Sequence, residues 1–191
     1  MDVLIDLETF GIGPDAVICS LGAVRFDPLG EGIKETFYLP VDPQSCIDVG
    51  MTVTGGTILW WLRQEEAARH AIAKVMAHYP IKVALEAFWR WYGDAKHVWG
   101  KGASFDPVIM TSAFNLTGIP CPWSFRDIRC VRTLEDLAGI GKEAVSVGTV
   151  HNALDDATSH ALNVQKAYAT ILNGLAAAMR EKDKDALVTV T

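Results

Sequence analysis

Near the start of this 191-residue chain two carboxylates, Asp6 and Glu8, interrupt an apolar segment, Val3-Leu4-Ile5-Asp6-Leu7-Glu8. In an extended strand, residues two apart point to one face, so both acids project together. Like charges held close repel, and a proton or a cation between them relieves the repulsion. Hard divalent cations with oxygen ligands meet that need. Two solvated acids at a strand end would leave the same pattern, and on this pair alone the two readings stand even.

A third acid, Asp106, follows Trp99-Gly100-Lys101-Gly102-Ala103-Ser104-Phe105. That run reads as a strand end, a glycine-containing loop and a helix start, with Pro107 suited to the first turn. Asp106 is expected to be the N-cap, a role compatible with facing a cation. Val150 to Ala157 supplies the remaining groups. Asn152 suits a helix N-cap, and Asp155 the third helical position of a capping box, near the positive end of the helix dipole. Asp156 falls at the edge of an apolar face formed by Ala153, Ala157, Ala161 and Val164, where a partly buried carboxylate needs a partner. His151 lies just outside the helix, placed to approach a water. Taken alone it is an ordinary loop histidine.

The elements that must position these groups follow from periodicity. Val3 to Glu8 reads as a short buried strand ended by Gly11-Ile12-Gly13-Pro14-Asp15, Ala16 to Phe26 as a second strand and Glu35 to Leu39 as a third. Thr57 to Met76 carries apolar residues at helical spacing, as two helices, and Val83 to Tyr92 is another. His97 to Gly100 is a fourth strand, Pro107 to Leu116 a helix closed by Gly118, and Ile128 to Val131 a fifth strand. A long helix spans about Ala153 to Leu172, with Asn173-Gly174 expected to kink or end it. The charged stretch from Glu181 to the end is expected to be a mobile tail. Strands first, then alternating helices and strands, predict a mixed sheet covered by helices, an α/β fold in one domain over residues 1–191.

Composition narrows the class. Half the residues are hydrophobic and 21% are charged, a globular balance, and no apolar run approaches the length of a membrane span. The N-terminus lacks the basic start and apolar core of a signal peptide, and Cys19, Cys46, Cys121 and Cys130 form no C-x-x-C pair. The chain therefore reads as cytoplasmic, with reduced thiols. A net charge of −6 disfavours nonspecific binding to polyanions. It weighs less against an enzyme whose clustered acids hold cations that then meet a phosphate.

Taken together these segments resemble the DEDDh group of 3′–5′ exonucleases, DnaQ-like proteins of the ribonuclease H-like superfamily. The first motif, D-x-E-T, stands as Asp6-Leu7-Glu8-Thr9. The second, an aspartate after a small-residue loop and an aromatic, stands as Ser104-Phe105-Asp106. The third, H-x-A-x-x-D, stands as His151-Asn152-Ala153-Leu154-Asp155-Asp156. Thr57-Ile58-Leu59-Trp60-Trp61-Leu62-Arg63-Gln64, Trp99 to Asp106 and Arg129 to Thr133 look like a phage and bacterial subgroup described as exoribonuclease-like or exodeoxyribonuclease VIII-like. Lys101 departs from the Asn expected in that loop.

The resemblance implies a ribonuclease H-like fold, with a five-stranded mixed sheet of order 3-2-1-4-5 whose second strand is antiparallel to the rest. It implies two Mg²⁺ or Mn²⁺ ions: Asp6 bridges both, Glu8 and Asp156 complete the site of the attacking water, and Asp106 supports the second ion. Such a pair, about 3.5–4 Å apart, clamps the attacking and leaving oxygens of an in-line displacement. His151 is then the general base, a role suited to a side chain that titrates near neutral pH. The implied partner is a single-stranded or overhanging 3′ end, RNA slightly favoured over DNA, with nucleoside 5′-monophosphates as products. Thr9, Phe10, Trp60, Gln64 and Phe105 are the implied substrate contacts. Phe105 is as readily a core residue as a stacking platform, and of the adjacent Trp60 and Trp61 one is expected in the core. Trp60 and Gln64, four apart on a helix, share a face and are the favoured pair for lining the nucleotide site. Arg126, Arg129 and Arg132 are candidates for phosphate contact, at least two of them expected to be surface charges. A homodimer through the C-terminal helix is a further expectation. The rival readings are a non-catalytic nucleic-acid-binding module and a protein-interaction module on the same fold.

Overall fold

In the computed structural model, residues 1–73, 78–141 and 144–188 are described. The first strand, β1 (Asp2–Thr9), pairs antiparallel with β2 (Ile18–Phe26), which pairs antiparallel with β3 (Ile33–Pro40). On its other side β1 runs parallel to β4 (Val98–Gly100), and β4 parallel to β5 (Ile128–Cys130). The order is β3-β2-β1-β4-β5, with β2 antiparallel to the rest, as the resemblance implied. β1 and β2 lie inside the sheet and are buried on both faces, which explains their nearly continuous apolar runs. Polar β3 forms one edge.

Among the described residues six α-helices precede the last one: α1 (Pro43–Asp48), α2 (Gly55–Leu62), α3 (Glu66–Ala73), α4 (Ile81–Tyr92), α5 (Asp106–Thr117) and α6 (Val131–Ala138). Two cores sandwich the sheet. On one face Val3, Ile5, Leu7, Leu21 and Ala23 meet Leu85 and Phe88 of α4 and Ile109, Met110 and Phe114 of α5. On the other, Leu4, Val24, Phe26 and Trp99 meet Val131 and the α7 residues Ala157, Ala161 and Val164, α7 running from Ala153 to Val188.

The strand alternation carries the acids onto the α7 side. Asp6 lies opposite Gly22 and Glu8 opposite Ser20, in register with Leu4 opposite Val24. Gly22 is what lets α7 sit there. A Cβ at this position would stand 2.2 Å from the carbonyl carbon and oxygen of Ala153. Gly22→Ala is therefore expected to push the start of α7 off the sheet. Overpacking of this kind costs about 1–3 kcal/mol, read as a lower Tm, and turnover should fall because His151 and Asp156 move with the helix.

Several elements depart from expectation. α7 runs straight through Asn173-Gly174 to Val188. A mid-helix glycine costs only about 1 kcal/mol, and the flanking Leu, Ala, Met and Arg residues are strong helix formers. Residues 181–188 of the expected mobile tail thus belong to α7, and residues 189–191 lie outside the described ones. Met76, the expected end of the second middle helix, lies outside them too. Val131 opens α6 instead of ending the fifth strand. The four cysteines are free thiols, and among the described residues no helix is long and apolar enough to cross a membrane.

Candidate active site

The end of β1, the start of α5 and the start of α7 meet at one place. There Asp6, Glu8, Asp106, His151 and Asp156 line a single pocket of about 310 Å³, together with Leu7, Lys101, Phe105, Arg132 and His160. All five residues expected to do chemistry are thus brought together from across the chain.

Each is held by local geometry. Phe105 occupies the N-cap position of α5, so Asp106 is its first helical residue and not the cap. The Leu7 N–H donates to Asp106 Oδ1 at 3.2 Å, which ties the third acid to the strand bearing the first two. Asn152 caps α7 as expected, its Oδ1 accepting from the N–H groups of Leu154 and Asp155 at 3.1 and 3.2 Å. The reciprocal half of the capping box is absent: Asp155 instead accepts from the Thr149 N–H at 2.7 Å, pinning the loop before the helix. Asp156 Oδ2 accepts from the His151 N–H at 2.9 Å. His151 has φ 64°, a left-handed backbone conformation unusual for a side-chain-bearing residue.

Burial and crowding push all four acids up from the usual carboxylate range. Asp6 is pushed well up, first by burial and then by Asp106, Glu8 and Asp156, with Lys101 opposing. Burial, then Asp156 and Asp106, push Glu8 up to about 8. Burial raises Asp106 against its backbone hydrogen bonds and Arg132, and Asp156 is raised for the same first cause. Donor atoms of Glu8, His151 and Asp156 lie within 4.8 Å of one another. An arrangement of hard oxygen donors, dehydrated and mutually repelling, fits a small divalent cation.

His160 was not singled out from the sequence. Its Nε2 lies 3.7 Å from Asp6 Oδ1, and its buried Nδ1 has no hydrogen-bond partner among the described residues. Burial, then Lys101 and Arg132, lower it to about 4. The available signal was its position, one turn after Asp156 on the face that α7 turns to the sheet.

A second, apolar cleft of about 470 Å³ adjoins this pocket and shares Leu7, Glu8 and Phe105 with it. Thr9, Gly11, Ile12, Thr54, Trp60 and Trp61 complete most of its wall. Trp61 is the buried tryptophan, its indole N–H donating to the Thr9 carbonyl at 2.8 Å, while Trp60 is 42% exposed and so offers a face. Both rings meet the His151 imidazole edge to face, with centroids 5.0 and 6.0 Å away. Phe105 packs against the core, as one of its two expected readings had it, and also lines the cleft. Phe10 and Gln64 do not line it. Phe10 packs into the core, and Gln64 lies beyond the end of α2, with its amide turned onto the Trp60 carbonyl. Of the three arginines, only Arg132 reaches the acid pocket. Arg126 lies over the Phe125 ring, and Arg129 donates to the carbonyls of Arg126 and Ile128.

No curated protein matches the chain. Among solved structures, the fold is similar to cell-death related nuclease 4 (CRN-4), with TM-score 0.58 and 16% identity over 87% of this chain and 63% of that one. It is similar to the nuclease domain of 3′hExo, a DEDDh family member bound to rAMP, with TM-score 0.58 and 14% identity over 86% and 89% of the two chains. Exonuclease X in complex with 5′ overhanging duplex DNA gives TM-score 0.57 and 19% identity over 89% and 92%. The chain thus spans less than two thirds of CRN-4 but nearly all of the other two. Residues 1–168 match the family described as the 3′-5′ exoribonuclease Rv2179c-like domain, and the chain belongs to that family.

Proposed function

We propose that this protein hydrolyses the terminal phosphodiester at the 3′ end of a single-stranded or overhanging nucleic acid, RNA slightly favoured over DNA, by a two-metal-ion mechanism. One observation carries the proposal: Asp6, Glu8, Asp106, His151 and Asp156 line one pocket that opens into an aromatic-walled cleft. The description of the family as exoribonuclease favours RNA.

Asp6, Glu8, Asp106 and Asp156 would hold a pair of Mg²⁺ or Mn²⁺ ions. When bound, such ions make a bound water more acidic and stabilise charge developing on the phosphate oxygens. The chain's own groups do the rest. The apolar cleft takes the terminal nucleoside, with the Trp60 face and Phe105 available to stack on its base. His151 takes the proton of the attacking water at an imidazole nitrogen. The new bond joins the water oxygen to phosphorus, and the bond from phosphorus to the 3′-oxygen of the preceding nucleotide breaks. That oxygen leaves and is protonated from solvent. The products are a nucleoside 5′-monophosphate and a strand one nucleotide shorter with a free 3′-hydroxyl.

The test is a ladder assay on matched 5′-labelled single-stranded RNA and DNA, with Mg²⁺, Mn²⁺ or chelator. Stepwise shortening from the 3′ end only with metal is expected. A mobility shift without shortening would make the protein a binding module.

Stability should report the cation site independently. The acids have raised folded values, so the folded state binds more protons than the unfolded chain, and stability is lost as pH rises toward those values. For Glu8 the window runs from its ordinary 4.5 to about 8. His160, lowered to about 4 from 6.5, acts in the opposite sense below 6.5 and adds nothing above it. Between pH 6.5 and 8, in chelator, the Tm should therefore fall, with each titrating carboxyl contributing up to about 1.4 kcal/mol per pH unit. Saturating Mg²⁺ or Mn²⁺ should flatten the slope, and a melting curve independent of pH in chelator would count against a repelling cluster.

A further inference from the structure

The acid pocket has two flanks. One adjoins the apolar cleft through Leu7, Glu8 and Phe105, and there His151 meets Trp60 and Trp61. Lys101 and Arg132 line the acid pocket but not the cleft, and they follow β4 and β5, the strands on the side of β1 away from β2, so they mark its other flank. Lys101 directly follows the end of β4, and Arg132 stands on the first turn of α6. The loop after β4 passes beside Arg132: a Cβ on Gly102, which has φ 132°, would stand 3.6 Å from Arg132 Nη1. Among the described residues, neither cation forms an ion pair with a carboxylate. Two cations that act on the acids only through space therefore face the pocket, in a chain of net charge −6.

A strand whose terminal nucleoside fills the cleft must leave by the opposite flank. Its scissile phosphate lies over the acids, and its next phosphate lies one nucleotide further out. That second phosphate meets an acidic protein and needs a positive partner of its own. We propose that Lys101 and Arg132 grip the phosphodiester one step upstream of the scissile bond, so that the pocket reads two consecutive phosphates. The proposal rests on hydrolysis from the 3′ end as given above.

Two substrates separate the two phosphates. A dinucleoside monophosphate has only the scissile phosphodiester, and a trinucleoside diphosphate has one more upstream. The wild type should favour the longer one in kcat/KM by about 10-fold or more, the range of a charge-assisted hydrogen bond. The double variant Lys101→Gln/Arg132→Gln should lose that preference, its kcat/KM falling about 10-fold further on the trinucleotide than on the dinucleotide, and Lys101→Arg should retain it. Binding of a single-stranded RNA decamer in Ca²⁺ gives a second readout. The slope of log affinity against log salt should shrink by about 0.7 for each cation removed. Equal losses on both substrates, or an unchanged salt slope, would overturn the grip. If the wild type shortens neither these substrates nor the labelled RNA of the ladder assay while the slope still shrinks, the hydrolytic reading fails, and with it the grip upstream of a scissile bond, leaving only a phosphate contact of a binding module. If the wild type cleaves both without preference, the grip alone fails.

Discussion

Asp6→Asn is expected to abolish hydrolysis and, in metal-free buffer, to raise the melting temperature. Both halves come from one feature. The Asp6 carboxyl is pressed between burial and the charges of Asp106, Glu8 and Asp156, with Lys101 the cation opposing them. Ionised, it strains the fold; neutralised by a cation, it does not. Asparagine keeps the shape and removes the charge, so the apo protein should gain about 1 kcal/mol or more, near 2–4 °C in Tm for a domain of this size. The metal-loaded protein should show the reverse, since an acid that would hold the ions is gone. Metal-ion catalysis supplies several kcal/mol of transition-state stabilisation, so the loss in kcat/KM should reach about 10³-fold. Calorimetric titration with Mn²⁺ should find weakened uptake. A lower Tm in chelator would mean that an internal partner already holds the charge, His160 being the candidate at 3.7 Å. The acid would then be structural.

The first acid pair was legible because a strand's period of two is strict. Asp6 and Glu8 had to share a face, and their register opposite Gly22 and Ser20 bears that out. Asp106 was legible as a helix-start acid, but the sequence did not distinguish the cap from the first helical residue, since a one-residue shift costs the pattern nothing. His151 and Asp156 were placed by the cap at Asn152, which local chemistry decides. What escaped depended on tertiary approach. Asp155 serves the Thr149 N–H because the preceding loop folds back over it, and no spacing rule encodes that. Gln64 was assigned to a helical face that ends two residues too early, at Leu62. His160 was hidden by its surroundings, a titratable residue among alanines where the pattern promised only packing. Gly22 carried no signal at all, since its lack of a side chain matters only where Ala153 comes to rest.

Removing the His151 side chain should separate two roles that its position allows. Its nitrogen lies among the donor atoms of Glu8 and Asp156, all within 4.8 Å, so it could itself ligate a metal. Hard cations such as Mg²⁺ and Mn²⁺ prefer oxygen, whereas imidazole suits zinc and nickel. Were oxygen-seeking ions held by the carboxylates, the imidazole would be left to the water. His151→Ala should therefore keep Mn²⁺ affinity within a few-fold while kcat falls by about 10²–10⁴, the usual worth of a general base. The backbone supplies a second, independent signature. At φ 64° the residue sits where a Cβ is penalised by about 1–2 kcal/mol. The conformation is sustained by the Asp156 carboxylate on the His151 N–H and by the two tryptophan rings at its imidazole. His151→Gly should relieve that strain and match or exceed the wild type in Tm while losing the same factor in rate. Strain retained at a loop position whose side chain can be deleted without destabilising the fold is what selection for chemistry, and not for packing, leaves behind. Loss of metal binding in both variants would instead make His151 a ligand. Near-normal turnover in either would remove it from the reaction.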